Sequence, residues 1–173
     1  MHNSLNPSPN PNRTPAALLS VQPLSGRWGR LGMALHFVAR FAPFADFRST
    51  DLVATLDAQI QRGHCLFALD GERVVGYLGW ALYDADVAER FARGGPAPAN
   101  TLAHGSDVAW ILTAVSVNPA ALRALVRALW AQHPGLRVMG IRHKGAGRRV
   151  VFDRPPPTSP AASWAPNAQP AIA

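Results

Sequence analysis

The pattern of apolar and polar positions is clearest over residues 108–141, VAWILTAVSVNPAALRALVRALWAQHPGLRVMGI. Residues 110–117 are almost all apolar or β-branched, and the run is too short to cross a membrane as a helix. It predicts a largely buried strand. Asn118-Pro119 ends that strand. From Ala120 the apolar positions become Leu122, Leu125, Val126, Leu129 and Trp130, the spacing of a helix that lays one stripe on a sheet, with Arg123 and Arg127 on the other face. Pro134-Gly135 stops the helix and residues 136–141 supply another strand. The unit is βαβ-like and implies a mixed sheet.

The same reading orders the rest of the chain. Leu31, Ala34, Leu35, Val38 and Phe41 predict a helix over 29–42 that ends at Pro43, and a loop over 44–48 follows. Ser49 or Thr50 is expected to cap a second helix through Arg62, with Leu52, Val53, Leu56 and Ile60 on its inner face and Gly63 as the stop. Residues 65–69 and 73–80 read as strands joined through Asp70-Gly71, a strong turn signal. A third helix is expected over 84–93, a loop over 94–106, and a last strand over 148–152 behind the turn 144–147. Two helices, a hairpin, a helix and then the βαβ unit with a final strand is the order of an α/β acetyltransferase-like (GNAT-like) fold, a mixed sheet flanked by helices.

Composition bounds this picture. A chain of 173 residues with 48% hydrophobic residues suits one domain with a real core. The proline content of residues 1–24 and 155–173 predicts disordered tails around a domain at 25–154. The net charge of +7 is carried by 17 basic residues, of which only Lys144 is lysine, so the positive surface is guanidinium and suits carboxylate or phosphate partners. The sole cysteine, Cys65, excludes an internal disulfide and reads as a small core residue. No apolar run in the domain is long enough to span a bilayer and no basic-then-apolar leader opens the chain, so a cytoplasmic location is expected. No histidine pair has metal-ligand spacing backed by a third ligand, and no metal is expected.

An acyltransferase of this shape that takes free acyl-CoA cradles pyrophosphate on backbone N–H groups at the start of its central helix, where glycines permit close approach. Here the turn reads Val117-Asn118-Pro119-Ala120-Ala121-Leu122, without glycine and with a proline that has no N–H. Free acyl-CoA is therefore a poor donor. A carrier protein presenting the acyl group from outside avoids the difficulty, and such carriers are acidic. The alternative is that no acyl donor binds.

The run Val75-Gly76-Tyr77-Leu78-Gly79-Trp80-Ala81-Leu82-Tyr83, the acidic-rich segment 84–91, Gly105-Ser106-Asp107 before Trp110, His133-Pro134, and the ending Gly147-Arg148-Arg149-Val150-Val151-Phe152 resemble the toxin-activating lysine acyltransferases, the haemolysin activators of RTX toxins. The resemblance spans about residues 31–154. It implies no tightly bound cofactor, an acyl carrier protein as donor, and transfer of a fatty acyl chain to a lysine of an RTX-type toxin. Such enzymes use a histidine in the loop after the first helix, where Ala45 stands here, and an aspartate in the central strand, where Thr113 stands.

A lysine amine, with a pKa near 10.4, attacks only when deprotonated, and a positioned base is worth roughly 10²–10⁴-fold. Thr113 is no base at neutral pH. Asp46, beside the family's histidine position, and His36, on the first helix, are the substitutes to weigh. Asp46 otherwise reads as a solvated loop carboxylate or helix cap, and His36 as a boundary residue. Trp80, Trp110 and Val115 are candidates to line an acyl site, although packing is the ordinary work of strand aromatics. Asp107 reads as a loop-ordering residue. Arg142, Lys144, Arg148 and Arg149 form a basic cluster suited to docking a carrier; no aromatics interleave with them, which disfavours nucleic acid. A homodimer is compatible with the sequence. The second functional reading is a catalytically inactive relative that keeps the fold as a binding or regulatory module.

Overall fold

The computed structural model describes residues 19–22, 26–96, 106–144 and 148–156. Six strands form one sheet in the order β1 (Leu19–Gln22), β2 (Cys65–Asp70), β3 (Arg73–Tyr83), β4 (Val108–Ser116), β5 (Arg137–Lys144) and β6 (Arg148–Arg154). Neighbours are antiparallel except β4 and β5. That parallel pair needs a crossover, which α4 (Pro119–Gln132) provides.

Alternation of side chains along β2 sends Cys65, Phe67 and Leu69 to one face and Leu66 and Ala68 to the other. The first face packs under α1 (Arg27–Val38) and α2 (Ser49–Gln61) through Ala34, Phe37, Leu52, Leu56 and Ile60. The second packs under α4 through Ala121, Leu125 and Leu129. A third cluster seats α3 (Ala85–Ala92) on Ala81, Tyr83, Trp110 and Met139. Because both faces are covered, the strands are apolar throughout, and the periodicity of the helices is the sharper signal.

Gly63 ends α2 in the left-handed region, φ 68°, where a side chain is strained. Asp70 pairs with Arg73 around Gly71 at φ 60°, so the hairpin turns where the dipeptide predicts. The expected cap of α2 is corrected. Ser49 and Thr50 lie inside the first turn, the N-cap is Arg48, and no side chain caps it; Asp51 instead places a carboxylate at that end. β3 and β4 run past their expected limits because Tyr83 pairs with Val108 and Ala81 with Trp110.

The tail expected to be disordered through residue 24 holds β1. Leu19 and Val21 turn onto the core beneath α4 while the backbone pairs with β2. The prolines around it masked this short Leu-Ser-Val alternation. Residues 1–18, 157–173 and the turn at 145–147 lie outside the described residues.

Arg137, at the start of β5, ties the lower end of the sheet together: it donates to Glu89 of α3 at 3.0 Å and to both carboxylate oxygens of Asp153 on β6. The hydrogen bonds from Arg137 hold the Asp153 carboxyl below its ordinary range.

Candidate functional site

Strands β4 and β5 are paired only from Val108 to Ile111 and from Arg137 to Gly140. Beyond that point β4 continues to Ser116 and β5 to Lys144, but they no longer bond to each other. Residues 112–116 of β4 are held on one side by β3 and present backbone donors and acceptors on the other. The opening begins at Gly140. A Cβ there would lie 2.6 Å from the Phe152 ring and 3.2 Å from the Ile111 carbonyl oxygen, so glycine lets Phe152 cross β5 where the strands part. A bulge adds Leu112 to β4 at the same level, since Gly79 pairs with Thr113 while Trp80 pairs with Ile111.

At the wide end of this opening stands the N-terminus of α4. Asn118 Oδ1 accepts from the Ala121 N–H at 2.8 Å, and Pro119 occupies the first turn. One orphan donor is satisfied by the cap and another is absent. With these two donors accounted for, the helix end is a weak cradle for a phosphate.

Thr113 is buried, 1% exposed, inside a polar chain. Tyr77 Oη donates to Gln59 Oε1 at 2.8 Å and Gln59 Nε2 donates to Thr113 Oγ1 at 3.2 Å. Gly79 makes room for it: a Cβ would fall 2.0 Å from Gln59 Oε1. Burial, with Cys65 adjacent, pushes the Tyr77 hydroxyl far up, so it stays a neutral donor. Burial likewise pushes the Cys65 thiol up, against the lowering effect of Arg30. Cys65 is thus a core thiol rather than a thiolate.

The structure separates the other sequence candidates. Trp80 packs beneath α4 with Ile111, whereas Trp110 packs on the opposite face with Phe91 of α3, ring centroids 4.8 Å apart. Val115 belongs to the cluster under α1 and α2. Trp80 faces away from the other two, because it pairs with Ile111 while Ala81 pairs with Trp110 and Tyr77 with Val115. His36 is exposed on α1. Asp46 is exposed in a 3₁₀ turn, Phe44–Asp46, and Ala45 beside it is exposed too. Arg142 is exposed on β5, its guanidinium carbon 5.7 Å from the centroid of Phe152. The backbones of Lys144, Arg148 and Arg149 lie in β5 and β6, and their side chains fall outside the described residues.

Sequence reasoning missed one cluster. His64, just before β2, stacks on Trp80 with centroids 5.8 Å apart, and His133, at the C-cap of α4, meets the same indole edge-on at 5.6 Å. His64 Nδ1 and Trp80 Nε1 are buried without a hydrogen-bond partner. The two histidines are far apart in the chain, and only the flanking Gly63 and Pro134 marked them as boundary positions. Desolvation lowers both imidazole pKa values, and for His64 the neighbouring His133 and Arg62 add to the effect.

Both are therefore neutral when folded, and the unfolded state binds more protons as pH falls through about 6.5. Stability from this cluster is present above that value and lost below it. The unfolding midpoint should fall by several degrees between pH 7.5 and pH 5, a window above carboxylate titration. His64→Phe, which keeps the stacking without a titrating group, should remove roughly half of that fall.

Among the described residues no three His, Cys, Asp or Glu side chains could hold a metal ion, and no helix is long and apolar enough to cross a membrane. A depression of about 510 Å³ on α2 lies among Ala54, Asp57, Ala58, Gln61 and Arg62. Its carboxylate, Asp57, is already held by Arg27 and Gln61.

No protein-family model matches the chain, and no curated relative does. Among solved structures it is similar to a histone acetyltransferase HPA2-related acetyltransferase from Corynebacterium glutamicum, with 14% identity over 83% of this chain and 98% of that one, TM-score 0.49. It is also similar to GphF, a GNAT-like decarboxylase solved with isobutyryl-CoA, with 17% identity over 75% of this chain and 67% of that one, TM-score 0.50. The fold is α/β and GNAT-like, a mixed six-stranded sheet flanked by helices.

Proposed function

We propose that this protein is an acyltransferase that takes a fatty acyl group from the pantetheine arm of an acyl carrier protein and passes it to a lysine side chain of another protein. The observation that carries this reading is the length of β4 over 112–116, unpaired toward β5, beside a helix N-terminus that is already capped. A pantetheine arm is extended and carries two amides, and an unpaired strand edge offers such a chain the hydrogen bonds of an added strand. The partly occupied helix end favours a donor whose charge is carried by a protein rather than by a nucleotide pyrophosphate. The lysine acceptor and an RTX-type target rest on the resemblance to the toxin-activating acyltransferases.

In the transfer the lysine nitrogen attacks the thioester carbon, the C–N bond forms, the C–S bond breaks, and the sulfur leaves as the carrier thiol. The amine must shed a proton. Thr113 is engaged by Gln59, and Asp46 and His36 are both exposed. Proton loss to solvent gives a rate that climbs about tenfold per pH unit from 7 to 9, following the free amine. A shallower climb that becomes about tenfold per pH unit only in His36→Gln would instead assign the proton to His36. The same change confined to Asp46→Asn would assign it to Asp46.

The second reading, a catalytically silent relative that binds a carrier or its acyl chain, is favoured by the enclosure of Thr113 in the Gln59–Tyr77 chain. Incubation with a radiolabelled acyl-carrier protein and a lysine-bearing toxin fragment separates the two. Label on the acceptor supports transfer; none at any chain length or pH leaves the silent module.

A further inference from the structure

The geometry points to the wide mouth of the β4–β5 opening, centred on Val117 and flanked by Arg123 and Arg142, as the docking surface for the acidic helix of the carrier protein. This rests on the carrier-dependent reading above and specifies where the partner sits.

The direction of the opening decides the end. The strands are closed at Ile111 and Gly140 and part toward Ser116, so an arm laid along β4 can enter only from the side where β4 turns into α4. Val117 stands on that turn. It is 48% exposed, and its backbone is fixed by an N–H donated to Val75 O at 2.9 Å. An exposed apolar side chain on a pinned turn is an anchor of the kind that fills the centre of a small interface.

Cations stand on the solvent face of α4 and on β5. Arg123 is exposed one turn into α4, with Arg127 a turn beyond, and Arg142 is exposed on β5 past the point of parting. Arg142 is pre-positioned by its contact with Phe152. Neither α4 nor β5 contains an aspartate or glutamate. The two elements bordering the mouth are therefore positive, with Asp70 and Glu72 of the β2–β3 turn beyond Val75, and this complements an acidic helix and steers it.

The same arrangement places the arm's phosphodiester. In this chain the α4 N-terminus is taken by Asn118, so the phosphate is left to the guanidinium of Arg142, which suits it better than an ammonium. β5 runs parallel to β4, so the backbones of Lys144, Arg148 and Arg149 lie at this same open end of the sheet.

Titration of the full-length protein with a fluorescent holo-acyl carrier protein, at low and high salt, tests this. Val117→Glu, Arg123→Glu and Arg142→Glu should each weaken binding by about tenfold or more and flatten its salt dependence, while Arg90→Glu/Arg93→Glu, on and just after α3 at the closed end of the strand pair, should stay within about threefold. All the altered mouth side chains are exposed, and circular dichroism confirms the fold. The converse pattern overturns the docking surface and leaves the acyltransferase reading standing. Absence of carrier binding by the unaltered protein overturns both. Tighter binding of duplex nucleic acid with the same arginine dependence shows that the occupant is wrong.

Discussion

Gly79→Ala should destabilise the protein by about 3 kcal/mol, although the change adds a single methyl group. The added carbon would fall 2.0 Å from Gln59 Oε1, a distance at which one of the two must move. Gly79 lies in the middle of β3 and is paired on both sides, with Cys65 and with Thr113, so the strand cannot yield. Gln59 must rotate away, and it then abandons both Tyr77 and Thr113. Overpacking and the loss of partners for buried polar groups each contribute about 1–3 kcal/mol. Urea denaturation of Gly79→Ala, Gln59→Ala and the double variant checks the mechanism. The double variant should be less destabilised than the sum of the single ones by at least about 1 kcal/mol, because the methyl then enters space the amide has left. Strict additivity would show that the two residues do not collide.

Acyl transfer from a carrier protein should exceed transfer from the matching acyl-CoA by about a hundredfold in kcat/KM. A pyrophosphate on a helix N-terminus gains charge-assisted hydrogen bonds worth about 1.5–3 kcal/mol each. In α4 one donor is spent on Asn118 and another is missing at Pro119, so two such contacts, about 3 kcal/mol or more, are lost to a nucleotide donor. A carrier loses neither, since its binding energy comes from protein contacts. Equal kcat/KM for the two donors would refute this discrimination, and Asn118→Gly should raise the acyl-CoA rate more than the carrier rate.

The helices α2, α3 and α4 and the β2–β3 hairpin were legible because each carries its own periodicity and a local stop, as at Gly63 and Gly71. β1 was not. Its three alternating residues sit among prolines, and only pairing with residues 67–70 makes them a strand. The missing glycine at the head of α4 is legible from the run 117–122, and the structure adds that the Asn118 side chain caps the Ala121 N–H. The opening itself was invisible, because two strands that pair and then part look in sequence like two strands that pair throughout. Trp80 and Trp110 were grouped for being on adjacent strands, yet register and the bulge at Leu112 put them on opposite faces. Thr113 stands where the resemblance implies an aspartate, while its enclosure depends on Gln59 and Tyr77, which are distant in the chain.

The central claim, that the free edge of β4 receives an acyl-bearing arm, is tested most directly by backbone amide exchange. Adding an acylated holo-carrier protein should slow exchange at those amides among residues 112–116 that face away from β3, while an apo-carrier, which lacks the arm, leaves them unchanged. Exchange at 112–116 that stays the same with saturating acyl-carrier, or slows equally with the apo form, would contradict the account.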